Sequence, residues 1–156
     1  MDKIPSFQKD HNILHPGLYF SMQMHGVETF DLRFKRPNAG DYIPNAALHS
    51  IEHMLATILR NSPQKDSIIY FGPMGCRTGF YLLTARLRYR DVLALLKDAL
   101  AKCLKLESVP GAERSECGNY AEHDLAGAKK ECAAYLEILN GISERTIAGE
   151  EKKESV

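Results

Sequence analysis

The chain has 156 residues, enough for one compact core and short for two ordinary domains. Its 20 basic and 20 acidic side chains cancel, and no stretch before the C-terminal tail concentrates one sign, which argues against nucleic acid or an anionic membrane surface as a partner. No segment approaches the ~20 continuous apolar residues of a membrane span, the N-terminal MDKIPSFQKDHN lacks the apolar run of a signal peptide, and the four cysteines form no CxxC pair; a cytoplasmic protein with reduced thiols is expected.

GLYFSMQM (17–24) and VETFDLRF (27–34) are rich in β-branched and aromatic residues and predict a hairpin that turns at His25-Gly26. A helix follows over about 46–61, with Asn45 as its cap and Pro63 as its barrier. SIIYFG (67–72) and TGFYLLTARLRY (78–89), joined through PMGCR, predict a second strand pair. Asp91 is read as the cap of a helix over about 92–105 whose apolar face includes Val92, Leu93, Leu96 and Leu100. A last helix over about 124–139 ends at Asn140-Gly141, a left-handed stop. GEEKKESV reads as a frayed tail, which places the domain at 3–147 and a charged tail at 148–156. Strands and helices segregate, so the class is α+β: a single domain with an antiparallel sheet and helices packed on one face.

The helix over 46–61 carries LHSIEHML. At 100° per residue His49, Glu52 and His53 share one face, while Ile51, Leu55 and Ile58 form an aliphatic stripe on the opposite side. Histidines at i and i+4 project one turn apart, a spacing at which two imidazole nitrogens share a metal ion while the backbone stays regular. Glu52 then lies beside the ion as a base. The same pattern also arises as an ordinary solvated face, so a third ligand has to be found.

Cys117, in the Gly-containing stretch SECGNY just before the last helix, offers a thiolate; Glu116, Glu122 and His123 compete for the same role. Two histidines and one cysteine leave a coordination position for water or substrate, the arrangement of a catalytic site. On its own, Cys117 also reads as a small buried hydrophobe. Cys76 lies between glycines in GPMGCRTGF with Arg77 beside it, a cationic neighbour that favours a thiolate able to take and return protons; the bland alternative is a turn cysteine.

SFQKDHN (6–12), FDLRFKRPN (30–38), LHSIEHMLATILRN (48–61), GPMGCRTGFYL and ECGNYAEHDLAGAK (116–129) follow one another in an order that resembles the S-ribosylhomocysteine lyase (LuxS) family of autoinducer synthases. The resemblance implies a metal site of His49, His53 and Cys117, with Glu52 and Cys76 as the acid–base pair, on a small α+β fold that works as a homodimer. It implies Fe2+ as the native ion, with Zn2+ or Co2+ as substitutes, and substrate contacts from Ser6, His11, Arg33 and Arg60. The implied reaction converts S-ribosylhomocysteine to homocysteine and 4,5-dihydroxy-2,3-pentanedione, the precursor of a quorum-sensing signal. Two rival readings remain at this level. HxxEH is also the inverted signature of a zinc peptidase class, with Glu122 as the distant carboxylate, and the same donors fit a metal-sensing or metal-storing domain with a closed site. Both leave Cys76 without a task.

Overall fold

The computed structural model describes residues 2–155, apart from the side chains of Pro5 and Ser6. In chain order the elements are α1 (Pro5–Gln8), β1 (Gly17–Met24), β2 (Val27–Arg33), α2 (Asn45–Arg60), β3 (Ile68–Pro73), β4 (Gly79–Thr84), α3 (Tyr89–Cys103), α4 (Leu125–Asn140) and α5 (Glu144–Glu154). The four strands form one antiparallel sheet in the order β1-β2-β4-β3, and the long helices cover one of its faces, as the segregated pattern predicts.

Strand periodicity sorts the two faces. Phe30 and Leu32 of β2, with Leu82 and Phe80 opposite them on β4, are fully buried under the helices with Ile51, Leu55, Leu96 and Leu139. The intervening positions, Asp31 and Arg33, point to the other face with Tyr19 and Tyr81. His25 (φ 52°) and Gly26 (φ 78°) are both left-handed, the two-residue turn whose twist suits a hairpin. Gly79 has a different reason. A Cβ there would sit 2.2 Å from the Leu32 carbonyl oxygen, so only glycine lets β4 pair closely with the end of β2.

Several helix ends differ from expectation. Helix α2 starts at Asn45 itself; Pro44 is the cap residue, and its carbonyl accepts from Leu48 N–H at 2.8 Å, so the expected Asn45 side-chain cap does not form. Helix α3 begins three residues early, because Arg88 N–H donates to Asp91 Oδ2 (3.1 Å) and places Asp91 inside the first turn. Helix α4 is capped by Asp124, which accepts from Gly127 N–H at 2.8 Å; the sequence pattern counts this residue within the helix. Gly141 has φ −81°, so the left-handed stop is absent and the chain turns with right-handed backbone toward α5.

The charged end is the main correction. Residues expected to fray are helical through Glu154, with Ser143 as the cap. The helix is tied down by carboxylates as well as by apolar packing. Buried Glu150 accepts from Phe20 N–H on edge strand β1 at 2.8 Å, and Glu154 accepts from Tyr89 N–H at the start of α3. Desolvation there raises Glu154 above the usual carboxylate range.

Candidate metal centre

Helix α2 buries Ile51, Met54, Leu55 and Leu59, which turns His49 and His53 toward the loop between α3 and α4. That loop supplies a backbone acceptor to each ring. His49 Nδ1 lies 2.8 Å from the Glu122 carbonyl oxygen, and His53 Nδ1 lies 3.0 Å from that of Pro110. A carbonyl only accepts, so each ring donates from Nδ1, and it is Nε2 that is left to face the centre of the group. Gly111 makes the second contact possible: it is left-handed (φ +66°), and a Cβ there would already be 3.3 Å from His53 Nδ1.

Both Nε2 atoms face the Cys117 sulfur, at 3.4 Å from His49 and 3.8 Å from His53. Cys117 is 8 % exposed; its own N–H donates to the Glu113 carbonyl, and Asn119 N–H donates to its Sγ at 3.4 Å. The fourth member of the group is His123, with Nε2 3.6 Å from Cys117 Sγ and its ring stacked on His49 at 4.1 Å. The four donor atoms all lie within 4.8 Å of one another. With metal–sulfur and metal–nitrogen bonds of about 2.3 and 2.0–2.1 Å, the sulfur–nitrogen edge of a tetrahedron is about 3.6 Å. The observed separations lie around that value, so the donor set fits a divalent ion that accepts imidazole and thiolate. Burial, with His49 and His53 alongside, lowers the pKa of His123 from the ordinary histidine value.

Other expected residues fall elsewhere. Glu52 is half-buried on α2 and has no hydrogen-bond or ion-pair partner among the described residues. Glu122 offers its backbone to His49 while its carboxylate accepts from Asn119 Nδ2, and Glu116 is exposed, so neither carboxylate joins the group.

Cys76 opens onto a separate cavity of about 420 Å³, lined among others by Phe7, His11, Arg33, Tyr42, Thr78 and Tyr81. Neither Glu52 nor any of the four clustered residues lines it. The cation near the Cys76 sulfur is not the expected Arg77, whose guanidinium lies over the Tyr42 ring and reaches the Ile43 carbonyl. It is Arg33, with Nη1 at 4.0 Å from Cys76 Sγ and 2.7 Å from Thr78 Oγ1; the Thr78 hydroxyl is 3.1 Å from the sulfur. Arg33 is held by a bidentate pair with Asp31, 2.7 and 3.1 Å, and both residues are 1 % exposed. Asp31 went unnoticed in the sequence, although its place two residues before Arg33 on a strand puts both on one face. His11 Nδ1 bonds the Lys9 carbonyl at 2.9 Å on the wall of the same cavity. Arg60 is exposed, donates to the Ile69 carbonyl, and lines neither grouping. The Ser6 side chain lies outside the described residues.

Comparison with known proteins gives one answer. Residues 4–145 match the family model described as S-Ribosylhomocysteinase (LuxS). The chain is 46 % identical over 154 residues to S-ribosylhomocysteine lyase of Borreliella afzelii, covering 94 % of this chain and 98 % of that protein. It is 42 % identical over 156 residues to the lyase of Desulfotalea psychrophila (95 % and 98 %), and 45 % identical over 155 residues to that of Phocaeicola vulgatus (94 % and 96 %).

Proposed function

This chain belongs to the S-ribosylhomocysteinase (LuxS) family, and from that premise we propose that it cleaves S-ribosylhomocysteine to homocysteine and 4,5-dihydroxy-2,3-pentanedione. The observation that carries the reading is the donor set of His49, His53 and Cys117, with both imidazoles locked by carbonyls so that their free nitrogens converge on one sulfur. These three residues hold the metal. When bound, it supplies Lewis-acid polarisation of substrate oxygens without a change of redox state. Fe2+ is the ion we assign to the cell, with Zn2+ and Co2+ able to replace it, since imidazole and thiolate suit all three.

The open-chain sugar must move its carbonyl two carbons along before the thioether leaves by β-elimination. Each migration takes a proton from the carbon beside the carbonyl and returns one to the former carbonyl carbon. The elimination removes a further proton and expels the homocysteine thiolate, which is then protonated, and no external oxidant enters. Two groups that both accept and give protons serve this sequence. Glu52, unpartnered and next to the two histidines, is the one on the metal side. Cys76 is the other; the Arg33 guanidinium and the Thr78 hydroxyl are placed to donate to its sulfur once the proton has left. His11 and Arg33, on the cavity wall, position the substrate, together with Ser6; Arg60, off both groupings of its own chain, would reach it only across a subunit contact.

Glu52 and Cys76 belong to different groupings within one chain, which supports a homodimer in which the Cys76 cavity of one subunit faces the metal centre of its partner. Exposed Phe7 and Tyr42 beside that cavity, and Ile69 and Tyr70 on β3, supply apolar surface for such a contact. Among the described residues no helix is long and apolar enough to cross a membrane. Four unpaired cysteines accord with the cytoplasm, where thiols stay reduced. The peptidase alternative finds no support, because its carboxylate ligand has no counterpart where the Cys117 thiol stands.

The direct test is to incubate the metal-loaded protein with S-ribosylhomocysteine and titrate the released thiol. Stoichiometric homocysteine is expected; an absence of thiol above the metal-free control refutes the assignment.

A further inference from the structure

Separation alone does not sort the three histidines around Cys117, since 3.4, 3.8 and 3.6 Å all suit a ligand. What the far nitrogen of each ring meets does sort them. His49 and His53 face carbonyls. His123 Nδ1 faces the hydroxyl of Ser50, 3.1 Å away. Ser50 is fully buried on α2, and its oxygen already accepts from Asp124 N–H at 2.8 Å. Its hydroxyl proton needs an acceptor, and among the described residues His123 Nδ1 is the other partner that Ser50 Oγ meets. Donation from Ser50 to Nδ1 leaves the His123 ring proton on Nε2, the atom aimed at the sulfur.

Resting on the metal-centre reading above, we propose that His123 is a positioning residue that donates an Nε2–H hydrogen bond to the Cys117 sulfur and is not a fourth ligand. An Nε2 that carries a proton has no lone pair to offer a cation. With Asn119 N–H, it gives the thiolate two donors, which draw charge from the sulfur and fix its direction. Four clustered side chains thereby yield a three-ligand centre, and the remaining position stays available to substrate.

The proposal is tested by ring tautomers in the zinc-loaded protein labelled with 15N-histidine. Long-range proton–nitrogen correlation should show His49 and His53 protonated on Nδ1, and His123, identified by the pattern lost in His123→Gln, protonated on Nε2. A His123 protonated on Nδ1 overturns the proposal without reliance on any variant's activity. In the cobalt form, His123→Ala should retain one ion per chain while the sulfur-to-cobalt charge-transfer band moves to lower energy, and His123→Gln, whose amide N–H2 replaces the donor, should move it back. Loss of cobalt from both variants makes His123 a ligand, and an unshifted band reduces it to packing; either result refutes the proposal. Failure of the unmutated protein to bind stoichiometric zinc refutes the metal centre itself, and this proposal with it.

Discussion

Replacing Arg33 with methionine should destabilise the fold more than any surface charge change, and the pair geometry sets the size. Asp31 and Arg33 are each 1 % exposed and joined by two hydrogen bonds of 2.7 and 3.1 Å. Without the guanidinium, Asp31 keeps, among the described residues, only Lys9, 3.4 Å away on a partly exposed side chain, as a charged partner. Breaking a buried pair from one side costs about 3–5 kcal/mol, and the residual Lys9 contact puts Arg33→Met near 3 kcal/mol. Converting both partners, Asp31→Leu with Arg33→Met, removes the stranded charge and should recover most of that loss, to within about 1 kcal/mol of the unmutated protein. Since the chain has no tryptophan, the assay is urea unfolding of the metal-free protein followed by far-ultraviolet circular dichroism, at one fixed protein concentration so that any association enters each variant equally. A single-variant loss below about 1 kcal/mol, or a double variant as unstable as the single, refutes the reasoning that this ion pair is desolvated.

The other expectations are shorter. His49→Ala, His53→Ala and Cys117→Ala should each lower metal content measured after gel filtration, because a three-ligand site loses much of its affinity with any one donor; full retention by Cys117→Ala would point to another donor in its place. Glu52→Gln and Cys76→Ala should keep the metal and lose thiol release, and the double variant should be little worse than the poorer single, since both serve one series of proton transfers. Light scattering should give a dimer, and mixed Cys76→Ala and Glu52→Gln subunits should regain up to about a quarter of the activity, as statistical exchange restores one complete site in half of the dimers; no recovery after demonstrated exchange would place each site within one chain. In air the ferrous form should lose activity faster than the zinc form, whereas equal loss would implicate thiol oxidation.

Local chemistry made part of this legible in the sequence. His49 and His53 share a face because helix geometry alone demands it, and His25-Gly26 turns a hairpin because both residues tolerate positive φ. Helix α5 was hidden because only Ile147 and Glu150 are buried in it; its charges look solvated until β1 and α3 offer amides to Glu150 and Glu154. Arg77 is next to Cys76 in sequence, yet Arg33 is the cation near the sulfur, since strand pairing brings the end of β2 against the β3–β4 turn. His123 was visible as a competing ligand, but its relation to Ser50, 73 positions away, required the fold.

The outer border of β1 has a history in time as well as a place in space. An uncovered strand border is a template for another chain. In the finished molecule its Gly17–Phe20 half is occupied: the Tyr135 and Tyr89 hydroxyls donate to the Gly17 and Leu18 carbonyls, and Glu150 takes the Phe20 amide. These guards arrive 118, 71 and 130 positions after the groups they cover. At 5–20 residues per second, a ribosome takes roughly 7–26 s to make the last of that chain. Throughout that interval a nascent β1 can join a neighbour's strand on a crowded polysome, so α5 doubles as the clasp that ends the aggregation-prone phase of synthesis.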